Sequence, residues 1–173
     1  MASVHGQTVR RPAAMRVIPA RAGQRSNVVA EVARYLGAVS ILIVGAVHAQ
    51  QYYDAYFRVV PTIGTLFLLS FIGSGLVGAA LLAPVRILGR NVGDVILALA
   101  SLGAIGIALG SLVSLLISEY MPLFGFMESG YRLAIVLTLV FDALTTVFLG
   151  VFVLILAHNH IAHPATTKER KLR

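Results

Sequence analysis

Residues 133–157 read LAIVLTLVFDALTTVFLGVFVLILA, a run whose single charged side chain is Asp142. A helix needs about 20 mainly apolar residues to cross the hydrocarbon of a bilayer. In that medium a helix satisfies its backbone N–H and C=O groups within itself. The run lacks the period-2 alternation of a membrane β-strand, so it reads as a transmembrane α-helix. Working outward, three further apolar runs give expected spans of about 33–53, 62–83 and 95–117, with the quoted run as the fourth. Pro61 opens the second span and Pro84 closes it, positions that suit a first helical turn and a helix end. Asn91 or Asp94 is placed to cap the third, and Pro122 lies beyond its end. The expected fold is all-α: a four-transmembrane-helix bundle over residues 29–160, between a disordered basic tail at 1–28 and a second basic tail at 161–173.

Composition agrees with a lipid environment. The 173 residues are 58% hydrophobic and 12% charged, against roughly 25% charged in soluble domains. The net charge of +7 does not point to nucleic acid. Twelve of the 14 Lys and Arg lie in the N-terminal region up to Arg34, at Arg86 and Arg90, and in the C-terminal tail, leaving only Arg58 and Arg132 on the opposite side. By the positive-inside rule both termini and the middle loop are expected in the cytoplasm of a multi-pass cell-membrane protein. No cysteine is present, which excludes disulfides, thiolate metal sites and a Cys nucleophile. No tryptophan is present either, so an interfacial aromatic belt rests on the six Tyr.

Helices in lipid associate through close backbone approach and polar contacts. Ser70, Ser74 and Gly78 share a face of the second span, and Gly106, Gly110 and Ser114 a face of the third, with Gly103 nearby. These stripes predict tight packing of the second helix on the third, or a homodimer interface.

Asp142 is the most informative residue. A carboxylate at mid-span costs about 2.5–3.5 kcal/mol on insertion scales. Thr138, Asp142, Thr145 and Thr146 share one helix face by three- and four-residue spacing, a polar stripe expected to point into the bundle. Three roles stay open for the acid: a structural hydrogen bond between helices, proton or ion handling, and contact with a partner subunit. His48 is the histidine expected inside the membrane, with Tyr52 and Tyr56 continuing its stripe at four-residue spacing. Its estimated depth resembles that of Asp142, and the two are expected to face one another. His158, His160 and His163 cluster at the end of the fourth span, as weak candidates for a transition metal; basic side chains also suit a helix C-terminus. No Walker loop, dinucleotide fingerprint, Gly-x-Ser-x-Gly elbow or His-Glu-x-x-His motif occurs, so no catalytic residue and no cofactor is assigned.

Three segments carry a resemblance: His48 with the tyrosines after it, Val60–Leu69, and Leu123–Gly130. They resemble a group of small four-helix integral membrane proteins common in actinobacteria, across roughly His48 to Leu156. The resemblance implies an acid in the last helix, often Glu, where this chain has Asp142; it implies topology and supplies no activity. The function expected is therefore that of a non-enzymatic membrane protein, an accessory or scaffold subunit of a larger complex. The alternative is a small transporter or proton-coupled module using Asp142 and His48. Expected partners are the lipid bilayer and either further copies of the chain or a larger membrane complex.

Overall fold

The structure, a computed structural model, describes residues 20–54, 57–122 and 133–162. Within them the chain forms four long helices: α1 Ala20–Tyr53, α2 Pro61–Leu82, α3 Arg90–Tyr120 and α4 Leu133–Ala162. All four are long and apolar enough to cross a membrane. Short 3₁₀ turns at Phe57–Val59 and Val85–Leu88 precede α2 and α3. The helices form a ring in chain order: α1 packs on α2 and α4, α3 closes the ring on the same two, and α1 and α3 barely meet. The end where α1 stops and α4 starts is called the loop end, and the opposite one the tail end.

Helix boundaries follow local chemistry more than hydropathy. Pro61 opens α2, where its missing N–H costs nothing. The third helix starts at Arg90, ahead of the expected capping residues, so neither Asn91 nor Asp94 is its cap. Gly89 holds the N-cap position at φ 107°, a conformation that L side chains resist. The first helix starts at Ala20, inside the stretch that composition assigns to a tail. Its 34 residues span about 50 Å at 1.5 Å per residue, well beyond a hydrocarbon core of about 30 Å. The fourth helix likewise runs past Ala157 and carries His158 and His160 within it. Hydropathy measures the part of a helix that lipid surrounds; the polar continuation needs only water.

The core lies in the tail half. Ile41, Leu81, Leu97, Leu149 and Phe152, drawn from all four helices, are fully buried there. Close approach occurs where α1 is one partner. A Cβ on Gly45 would lie 2.9 Å from Ser74 Cβ, one on Gly78 2.6 Å from the Leu42 side chain, and one on Gly37 2.4 Å from the Leu149 side chain.

The tight α2–α3 seam expected from the small-residue stripes is thus corrected. Ser74 and Gly78 serve α1, not α3. A Cβ on Gly106 or Gly110 would meet nothing within 4 Å, and both glycines are exposed. Helices α2 and α3 touch through Gly73 against Ile107 and Gly103 against Val77. Above those contacts, toward the loop end, the seam opens.

Candidate functional site

The open seam leads into a cavity of about 400 Å³ in the loop half of the bundle. Its walls are mainly apolar, with Ile63, Leu66, Phe67, Ile107 and Ile135 among them. Into this lining project the polar side chains of His48, Gln51, Ser70, Ser111, Ser114, Ser118 and Thr138, and Gly106 and Gly110 form part of the wall. Leu66 and Leu69 on α2, and Gly106 and Gly110 on α3, all line the cavity while remaining exposed, so its wall opens between α2 and α3. The small residues of α3 therefore make space instead of contact.

His48 is buried at 6% exposure. Its Nδ1 lies 2.8 Å from the Val44 carbonyl; since a carbonyl only accepts, Nδ1 carries the hydrogen. Nε2 is then the ring nitrogen left for the cavity. Phe67 packs beside the imidazole, with ring centroids 5.3 Å apart. Tyr52, the next residue of the expected stripe, is half-buried and makes an edge contact with Tyr53 at 4.9 Å. Tyr56 lies outside the described residues.

Asp142 is fully buried, and neither carboxyl oxygen has a hydrogen-bond partner among the described residues. Thr145, one turn along the same face, is also fully buried with its Oγ1 unpartnered among those residues. The other two threonines of the stripe are occupied: Thr138 donates to the Ala134 carbonyl at 3.0 Å and Thr146 to the Asp142 carbonyl at 2.9 Å. Across from the acid, Ser111 on α3 comes close enough to interact electrostatically, in a geometry that completes no hydrogen bond.

No direct hydrogen bond joins His48 and Asp142. His48 bonds its own helix and borders the cavity, whereas Asp142 lies off the cavity lining. The two residues match in depth when counted from the tail end of the expected spans, beyond which α1 and α4 extend. Counted from the loop end, His48 lies about 8 Å and Asp142 about 14 Å along their helices. Ser111 is the neighbour that sequence reading missed. Its signal was present: Ser111, Ser114 and Ser118 repeat at i, i+3 and i+7 on one face of α3.

A second polar centre joins the helices at the tail end. Asp94, only 5% exposed, accepts from Arg86 Nε at 2.9 Å. Arg86 also pairs with Glu31 on α1, which binds Arg34 at 2.7 Å. Arg90 and His160 approach the second oxygen of Asp94 at 3.9 and 3.7 Å. Burial disfavours the Arg86 charge, but hydrogen bonds and attraction from Asp94 and Glu31 outweigh it and raise the guanidinium above its ordinary value. Close packing makes this possible, since a Cβ on Gly93 would lie 2.7 Å from Arg86 Cα. The residues read as topology markers and a cap are thus bound into one ion-pair network.

His160 turns toward that network. His158, two residues away on a continuous helix, points elsewhere and is exposed; His163 lies outside the described residues. Among the described residues no group of three metal-ligating side chains forms. Comparison with known proteins gives no match: no family model, curated protein or solved structure is similar to the chain.

Proposed function

We propose that the chain is a non-catalytic, multi-pass protein of the cell membrane that serves as a binding or accessory subunit, holding an amphiphilic guest in its side cavity. The observation that carries this reading is the cavity itself. Its volume of about 400 Å³ falls in the range of small-molecule sites. Its mouth lies between apolar helix flanks, so a lipid-like chain can enter without crossing water. Apolar walls suit that chain, and the serine hydroxyls and His48 Nε2 suit a polar end group.

In this reading both tails and the α2–α3 turn face the cytoplasm. Support comes from the concentration of Lys and Arg in those segments. Because the chain has no cysteine, single cysteines report topology cleanly. Asp54→Cys in the α1–α2 turn should react with an impermeant thiol reagent on intact cells, and Ile87→Cys should react only after permeabilisation. The reverse pattern would overturn the orientation.

Guest binding is tested by purification in mild detergent followed by native mass spectrometry and solvent extraction. A bound amphiphile is expected on the wild type and its loss in a Gly106→Leu, Gly110→Leu variant, whose added side chains fill the mouth. A wild type that carries no guest, or a guest that survives this filling, would sink the reading. A stoichiometric second protein in the same preparation would mark the subunit role, and a second copy of the chain a homo-oligomer.

A further inference from the structure

Asp142 and Thr145 present a problem that the cavity does not absorb. Buried polar groups without hydrogen bonds cost free energy, and in native proteins such groups are few and need a reason. Here two fully buried side chains on one inward face share the condition. Their neighbours Thr138 and Thr146 spend their hydroxyls on the helix backbone, so the unpartnered oxygens are those that face the other helices.

We propose that Asp142, with Thr145 beside it, is a proton-binding site supplied by water that enters from the loop-end cavity past Ser111. Ser111 touches both compartments: it lines the cavity and lies beside the carboxyl of Asp142. Together the carboxyl, the Thr145 hydroxyl and the Ser111 hydroxyl supply the two to four polar contacts that a buried water needs.

The tail side is closely packed among the described residues. Past Thr145 the bundle is filled by Ile41, Leu81, Leu97, Leu149 and Phe152, all fully buried. Of the serines on that side, Ser40 and Ser101 are tied to the Leu36 and Leu97 carbonyls at 2.9 and 2.7 Å, and Ser74, fully buried with its Oγ unpartnered among the described residues, is packed against Gly45.

Charge completes the case. No described Lys, Arg, His, Asp or Glu on α1, α2 or α3 makes a hydrogen bond or ion pair with Asp142. His48, the histidine of the loop half on α1, is engaged with Val44 and borders the cavity instead. An unpaired carboxylate is the costly form in such surroundings, and a proton is the smallest species that removes its charge. The step is a transfer from hydronium to a carboxylate oxygen, leaving water and a neutral carboxyl, and it reverses when the bulk proton concentration falls. It uses the cavity of the preceding proposal but not its guest.

The test is infrared spectroscopy of the full chain in lipid bilayers. A protonated-carboxyl C=O band is expected in the wild type and should be missing in Asp142→Asn, which keeps the shape of the side chain. On mixing with D2O the band should shift rapidly. Ser111→Leu, which plugs the route, should slow that shift by about tenfold or more, because exchange then needs opening of the bundle. Ser111→Ala, which leaves the space, should not slow it. If Ser111→Leu melts at a clearly lower temperature, Ser111→Val replaces it as the plug.

A band that never exchanges would make Asp142 a dry structural acid. An exchange rate indifferent to Ser111 would move the entry elsewhere. A wild type without the band at any pH the fold survives, but stabilised by sodium, would make the site one for a metal cation. Each of these overturns the proposal. Delipidated protein gives the same readout, so failure of guest binding and failure of proton binding are told apart.

Discussion

A side chain built on Gly110 points into open space, whereas one built on Gly45 lies 2.9 Å from Ser74 Cβ. The two glycines belong to stripes of similar composition, yet they answer to different neighbours. Gly110→Leu should therefore leave the thermal midpoint in detergent unchanged, because nothing must move to admit it. Gly45→Val should lower stability by about 1–3 kcal/mol, the usual cost of overpacking. Equal losses for the two variants would show that the α2–α3 seam is closed. Asp142 differs again: its three- and four-residue companions Thr138, Thr145 and Thr146 already place it on a polar face in the sequence. Ser111, its neighbour across the helix gap, emerges only when α3 is set at one rotation against α4.

At the scale of elements, apolar length locates α2 closely and α1, α3 and α4 only in their lipid-facing parts. The start of α3 depends on two glycines that hydropathy does not weigh. Gly89 turns the chain at φ 107°, and Gly93 admits the Arg86 backbone against the helix. Gly93→Ala should push the Val85–Leu88 turn away from α3 and separate Arg86 from Asp94. The expected result is a loss of about 1–3 kcal/mol, read as a lower melting temperature. An unchanged melting temperature would show that the turn can shift without losing the ion pair.

The whole molecule is a ring of four helices, packed tightly where α1 takes part and open between α2 and α3. Its two ends differ in chemistry. The tail end is locked by ion pairs linking α1, the turn before α3, α3 and α4; the loop end holds the cavity. Arg86 is common to two of those links, so Arg86→Ala should leave the nearly buried Asp94 short of its closest partner. A cost of about 1 kcal/mol is expected, smaller at high salt because Arg86 is itself 42% exposed. Thermal melting in detergent at low and high ionic strength checks both parts. A variant as stable as the wild type would reduce the network to surface pairing.

The sequence by itself determined that the chain is helical and has four segments able to span a membrane. Hydrophobic length and the need to satisfy every backbone group in lipid are local conditions, read one segment at a time. It also marked Asp142 as exceptional, since the cost of a charge in hydrocarbon depends on position along one helix. What the tertiary structure decided is which face meets which neighbour. A stripe of Gly and Ser permits close approach without naming the partner, and the same pattern became a contact at Ser74 and Gly78 of α2 and a cavity wall at Ser70 and along α3. Depth was lost for a related reason: an axial distance means little until both helix ends are known, so a match of His48 with Asp142 counted from the tail end does not hold when both are counted from the loop end. The Arg86–Asp94–Glu31 cluster joins residues from α1, a turn and α3, and only the fold brings those charges within reach of one another.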